Sequence, residues 1–176
     1  MERLVGSEMC IRDSFNAGGW VSPLVLEKLT HRHLGYDVPR WGSPESYPYH
    51  TLRGHLVLIT NQFTGSDGDM FTASFKQLKL GKVIGKRTWG GVVGIDGRYQ
   101  LVDGTTTTQP QYSIWFHHAG WSVENYGVDP DLVVEDPPQS YSNGMDHQLK
   151  QAVEVIQKIL EEEPLPKIQD FKSNSS

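Results

Sequence analysis

One cysteine in 176 residues, Cys10, leaves nothing to pair with, which excludes an intramolecular disulfide framework and a thiolate metal cage. No apolar run approaches the ~18 residues that a transmembrane helix needs. Lys and Arg never gather into a block and the formal charge is −5, so the composition argues against a nucleic-acid or membrane-surface partner. No signal peptide is evident, because charged Glu2 and Arg3 lead into a short mixed segment. There is no internal repeat and no Ser-His dipeptide. What remains is a chain long enough for one domain with a real core.

That domain is organised around Asn61-Gln-Phe-Thr-Gly-Ser66-Asp-Gly-Asp-Met70. Before it, Gly54–Thr60 is a short apolar, partly β-branched run that reads as a buried strand. After it, Phe71, Phe75 and Leu78 recur at helical spacing. Ser66 therefore falls where a strand ends and a helix begins. Gly65 and Gly68 allow a tight turn, Asp67 and Asp69 suit the positive helix end, and backbone N–H groups there lack partners. A hydroxyl in that position suits an acyl-transfer nucleophile with its oxyanion donors. It equally suits a helix-capping serine. The order Gly-Ser-Asp-Gly differs from the G-x-S-x-G turn of α/β-hydrolases.

Upstream, Ser22–Thr30 predicts a helix with Ser22 as cap, Pro23 in its first turn and Leu24, Leu26 and Leu29 among its apolar positions. The Gly18-Gly19 pair at its entrance reads either as an anion-binding turn or as a plain one. Leu34–Tyr49, rich in Pro, Gly and aromatics, predicts a long irregular surface segment containing Asp37. Downstream, Leu80–Gly85 predicts a strand, and Val92–Val102 a hairpin turning at Asp96-Gly97. Thr105–Phe116 is strand-like, with Pro110 marking an edge or a break. Asp146 caps a last helix with Leu149, Ala152, Val153, Ile156 and Ile159 on one face. His31/His33 lack an acidic or thiolate partner at metal-site spacing, and His117 and His118, adjacent in a strand, would point to opposite faces, so no metal and no cofactor is expected.

Leu4–Ser14 resembles an in-frame translation of a sequencing-library adaptor, which predicts a non-native leader over residues 1–14. The domain proper is expected over 15–162, followed by a flexible tail over 163–176.

Several short motifs run in a fixed order through nearly all of the chain after Phe15. They are Phe15–Gly19, Gly35–Arg40, Asn61–Asp69, Gly81–Gly91, Leu101–Gly104 and Val123–Asp131. The ordered set resembles the C-terminal core of tricorn-type members of the S41 (tail-specific, C-terminal-processing) serine peptidase family. The resemblance implies an α/β fold, a ClpP/crotonase-like core of repeated β-β-α units truncated at its N-terminus. It implies Ser66 as nucleophile and the backbone N–H groups of Gly19 and Asp67 as the oxyanion hole. Gly18 and Asp37 become substrate-binding residues, with Asp37 the acid that favours a basic P1 side chain. Glu124 becomes the carboxylate that holds a second serine and its histidine. The bottom-up reading agrees on Ser66, Asp67 and Gly19 and gives no separate support for Glu124 or Asp37.

The family's general-base histidine, preceded by its accessory serine, belongs to an earlier domain, and this chain has no equivalent. The implied partners are peptide substrates, the PDZ and propeller domains of a parent chain, and further copies in a homo-oligomer; the expected location is the cytoplasm. A serine without its base is a poor nucleophile, so the chain is expected to be inactive alone. Two other readings stay open: a non-catalytic peptide-binding or structural module, and an esterase using His117 or His118 as base.

Overall fold

A computed structural model describes residues 8–165. The start of the expected leader and most of the expected tail lie outside the described residues. In chain order the elements are β1 (Met9–Arg12), α1 (Ser22–Thr30), β2 (Gly35–Asp37), β3 (Glu45–Tyr47), β4 (Leu56–Thr60), α2 (Asp67–Gln77), β5 (Gly81–Gly85), β6 (Gly94–Gln100), β7 (Thr106–Tyr112), β8 (Leu132–Val133), α3 (Pro138–Ser142) and α4 (His147–Glu162). The fold is mixed α/β, built on one parallel sheet of order β1-β4-β5-β8.

β4 is buried along its whole length. Its run Leu-Val-Leu-Ile is continuous because both faces of a central parallel strand are covered. Alternate side chains divide between the two layers. Leu56 and Leu58 join Phe71 and Phe75 of α2 and Val83 of β5, with Val25, Leu26 and Leu29 of α1 against them. Val57 and Ile59 join Ile84 of β5 and Ala152 and Ile156 of α4. A third cluster, Ala73 with Val92, Val123 and Val128, fastens α2 to the two loops that follow β5 and β7. Asp146 caps α4 as expected, its carboxylate accepting the Leu149 N–H at 2.8 Å.

Three local expectations are corrected. Ser22 does not cap α1: Val21 is the N-cap, and the α1 end is satisfied by a carboxylate from α2 instead. Leu34–Tyr49 is not wholly irregular, since Gly35–Asp37 and Glu45–Tyr47 pair as an antiparallel ribbon. The chain does not turn at Asp96-Gly97 either. β6 runs through that dipeptide with a register shift, and the reversal to β7 falls at Leu101–Thr105. The Asp96 carboxylate accepts the Arg98 N–H at 2.9 Å, so a turn-forming residue is spent on a bulge inside the strand. Met9–Arg12 pairs in parallel with β4 at the edge of the sheet.

Candidate active site

Ser66 stands at the N-cap of α2 with φ 55° and ψ −114°, and its hydroxyl makes no cap hydrogen bond. A non-glycine residue held in such a region costs about 1–3 kcal/mol and persists only where its surroundings over-determine it. The surroundings here are specific. Gly65 N–H donates to the Asn16 carbonyl at 2.8 Å, and Trp89 N–H donates to the Thr64 carbonyl at 2.8 Å. The Trp89 ring packs on Gly65, where a Cβ would stand 2.8 Å from Cε3.

Asp69 is the second anchor. It is fully buried, and its two oxygens accept the N–H groups of Gly90 and Gly91 at 2.9 and 3.2 Å. Burial pushes its carboxyl above the usual range, and the Thr88 hydroxyl and the amides of Gly90, Gly91 and Ser66 pull it back. The next two amides belong to Glu124, whose Oε2 accepts Val92 N–H and Val93 N–H, each at 2.7 Å. Four consecutive amides, Gly90 to Val93, are thus divided between the acid one turn into the serine helix and Glu124. Asn125 N–H closes the arrangement on the Gly90 carbonyl at 2.7 Å.

The Gly18-Gly19 turn lies against Ser66. A Cβ at Gly18 would stand 2.6 Å from Ser66 Cβ and 2.9 Å from its Oγ, and its φ of +110° already favours glycine. Asn16 shapes this turn by accepting Gly18 N–H at 3.1 Å and donating to Asp13 at 2.8 Å. Among the described residues, neither Gly19 N–H nor Asp67 N–H has an acceptor within the chain. The Asp67 carboxylate supplies the missing cap of α1, accepting Val21 N–H and Ser22 N–H at 2.7 and 2.9 Å, and Ser22 Oγ donates to the Asp67 carbonyl at 2.8 Å. One aspartate therefore satisfies the N-terminus of α1 from the first residue of α2. Local sequence gave no sign of this, because the partners are 45 and 46 residues apart. Asn61 braces its turn as Asn16 does, its Oδ1 accepting Phe15 N–H and Phe63 N–H at 3.2 and 3.0 Å, and an Asn ahead of each glycine-rich turn is a usable signal in the sequence.

Asp37 is exposed at the end of β2, opposite Glu45 of β3, and no ion pair reaches it among the described residues. The histidines stand elsewhere. His118 Nδ1 meets Gln77 Oε1 at 2.7 Å, His55 Nε2 meets the Glu163 carbonyl at 2.8 Å, and His117 packs edge-on to Trp115. A serine-histidine hydrogen bond does occur, between Ser140 Oγ and His147 Nε2 at 3.0 Å, but that serine is buried in α3. Ser66 Oγ has no imidazole partner among the described residues. Ser66 is thus a strained serine with Gly18 packed against it, an unbonded Asp67 N–H next to it in the chain, and Glu124 held by amides of the following loop.

Comparison with known proteins gives that arrangement a family. The pattern of peptidase family S41 matches residues 13–134. The chain belongs to peptidase family S41. Within it, the likeness is to tricorn proteins. It is 56% identical over 142 residues to the tricorn protease of Thermoplasma volcanium, covering 81% of this chain and 14% of that protein. It is 52% identical over 149 residues to tricorn protease homolog 1 of Streptomyces coelicolor, covering 85% of this chain and 14% of that protein. The crystal structure of the tricorn protease superposes with a TM-score of 0.84 at 48% identity, over 88% of this chain and 15% of that one. The chain thus spans about one-seventh of the length of these relatives.

Proposed function

We propose that this chain carries the nucleophile and the oxyanion donors of a serine endopeptidase. Ser66 Oγ attacks the peptide carbonyl, its proton passing to a histidine outside this chain. The tetrahedral oxyanion is held by Gly19 N–H and Asp67 N–H. The histidine then protonates the leaving amine, and water hydrolyses the acyl-enzyme at Ser66. Glu124, fixed through Oε2 by two amides, orients the second serine and the histidine through its remaining oxygen. Gly18 lines the path of the substrate backbone, and Asp37 takes a basic P1 side chain. The observation that carries this reading is the strained Ser66, whose hydroxyl is left unspent by the helix it begins. A non-catalytic peptide-binding module has no need of that strain.

The rest of the machinery, PDZ and propeller domains included, belongs to a parent polypeptide that acts on peptides in the cytoplasm as a homo-oligomer. No helix among the described residues is long and apolar enough to cross a membrane. Residues 1–14 are a foreign leader that stands in for a native edge strand, and the functional core is 15–162. The test is labelling with a fluorophosphonate in the presence of the upstream part of the Thermoplasma volcanium relative, followed by mass spectrometry. An adduct on Ser66 supports the assignment, and an adduct on another serine alone rejects it. In the same mixture Asp37→Asn should reduce cleavage after Arg and Lys; an unchanged P1 preference removes Asp37 from the site.

A further inference from the structure

Thr88 lies in the loop that follows β5 and is 2% exposed. Its N–H donates to the Val128 carbonyl at 3.1 Å, and its Oγ1 accepts the Val128 N–H at 2.8 Å. Val128 is in the loop that carries Glu124. A hydroxyl that accepts a hydrogen bond still has its own proton to place, and in a buried site that proton needs an acceptor. The Thr88 hydroxyl finds it in the carboxylate of Asp69, in the first turn of α2. One oxygen atom therefore joins the helix that Ser66 begins to the loop that holds Glu124. The junction leaves no slack. At Gly127, φ +89°, a Cβ would stand 2.2 Å from the Thr88 carbonyl oxygen, and at Gly90, φ +94°, one would stand 2.4 Å from Gly127 N. Trp89 N–H, one residue on, donates to the Thr64 carbonyl at 2.8 Å, two residues before Ser66. Lys76 fastens the far end of the Glu124 loop, pairing with Asp131 at 3.0 Å and donating to the Asp129 carbonyl at 2.7 Å. Thr88 fastens the part nearer Glu124.

We propose that Thr88 is a positioning residue, whose hydroxyl sets Glu124 relative to Ser66. The inference rests on reading Ser66 as the nucleophile and Glu124 as the carboxylate that orients its histidine. A histidine brought from outside must reach Ser66 Oγ within about 2.6–3.2 Å while Glu124 holds it. The two residues stand on separate segments, so one imidazole serves both only if the segments keep a fixed separation. The Thr88 methyl group contributes packing, and valine would supply that equally. What valine lacks is the oxygen that accepts from Val128 and donates to Asp69. Removing it leaves the buried Val128 amide unpaired and lets the Glu124 loop shift against α2.

The test compares Thr88→Val, which keeps the shape, with Thr88→Ser, which keeps the hydroxyl, in the full 176-residue chain. Amide spectra of the chain alone need no turnover. In Thr88→Val the signals of Asp67, Asp69, Val92 and Val93 should shift together, and in Thr88→Ser they should stay close to their places. Shifts confined to Thr88 and Val128 overturn the proposal. Mixed with the upstream part of the Thermoplasma volcanium relative, Thr88→Val should lower kcat by about tenfold at unchanged KM, and Thr88→Ser should stay within about threefold of the unsubstituted chain. In a Glu124→Gln background the Thr88→Val change should cost almost nothing, because the hydroxyl then has no carboxylate to position. Equal kcat with and without the Thr88 hydroxyl, or the full tenfold loss in both backgrounds, overturns the proposal. An unsubstituted chain that gives no turnover on mixing rejects Ser66 as nucleophile, and the spectra then decide the link between helix and loop on their own. If Thr88→Val does not fold, Thr88→Cys takes its place, since a thiol is a weak donor and acceptor. Thr88→Cys and Thr88→Ser behaving alike then overturns the proposal.

Discussion

The serine turn and the β6–β7 ribbon use their residues in opposite ways. Around Ser66, Asp13, Asn16, Asp67 and Asp69 each bond to a partner in another segment, and Asp69 is entirely buried. In the ribbon, the strands pair with each other, and Ile95, Tyr99, Leu101 and Val102 are exposed. The first region spends many interactions to hold one unfavourable backbone conformation, while the second holds an ordinary one and spends few. The contrast teaches where the fold spends its interactions: strain at Ser66 is maintained by distant partners, whereas the ribbon's exposed apolar surface is only a face.

The sharpest way to test the contrast is Asp69→Ala. It leaves the buried Gly90 amide and the half-buried Gly91 amide without acceptors, and should cost roughly 3 kcal/mol in urea unfolding. A loss below about 0.5 kcal/mol, the range of ordinary surface changes, would mean that the turn is not over-determined. Gly18→Ala comes next at about 2 kcal/mol, because a positive φ and a 2.6 Å approach to Ser66 must both be relieved. It should also abolish fluorophosphonate labelling of Ser66 in the complemented enzyme.

A pH titration reads the same region without a mutation. An acid whose folded pKa is raised binds its proton more tightly in the folded state, so it stabilises the fold below its unfolded value of 3.8. That contribution is lost as pH rises toward about 7, and Asp69 acts in the same direction. The chain should therefore be more stable at pH 5 than at pH 8, by on the order of 2 kcal/mol. Asp13→Asn should remove most of the difference, and a stability that climbs over this range contradicts the buried-acid account. The smallest effect belongs to the ribbon, where Leu101→Ser with Val102→Ser should change stability by no more than about 0.5 kcal/mol.

Much of the frame was legible in the sequence because its causes are local. The apolar run of β4, the helical spacing of Phe71 and Phe75, and the Asp146 cap each follow from neighbours within a few residues. Ser66 at a strand-helix junction was legible for the same reason. Its meaning was not, since a capping serine and a nucleophile differ only in whether the hydroxyl turns back on the helix. The partners of Asp69 lie 21 and 22 residues away, and no local pattern announces them. Asp96-Gly97 misled because turn chemistry also serves a bulge, and only cross-strand register distinguishes the two.

The central claim is that this chain holds a nucleophile without its base. The direct measurement is peptide hydrolysis by the chain, by Ser66→Ala, and by each mixed with the upstream part of the Thermoplasma volcanium relative. Alone, both should be equal, since residual acceleration from oxyanion donors and binding amounts to roughly 10³–10⁴ over water, far below a complete triad. On mixing, turnover should appear with Ser66 and not with Ala. Serine-dependent turnover by the chain alone would contradict the account and locate the base among its own seven histidines.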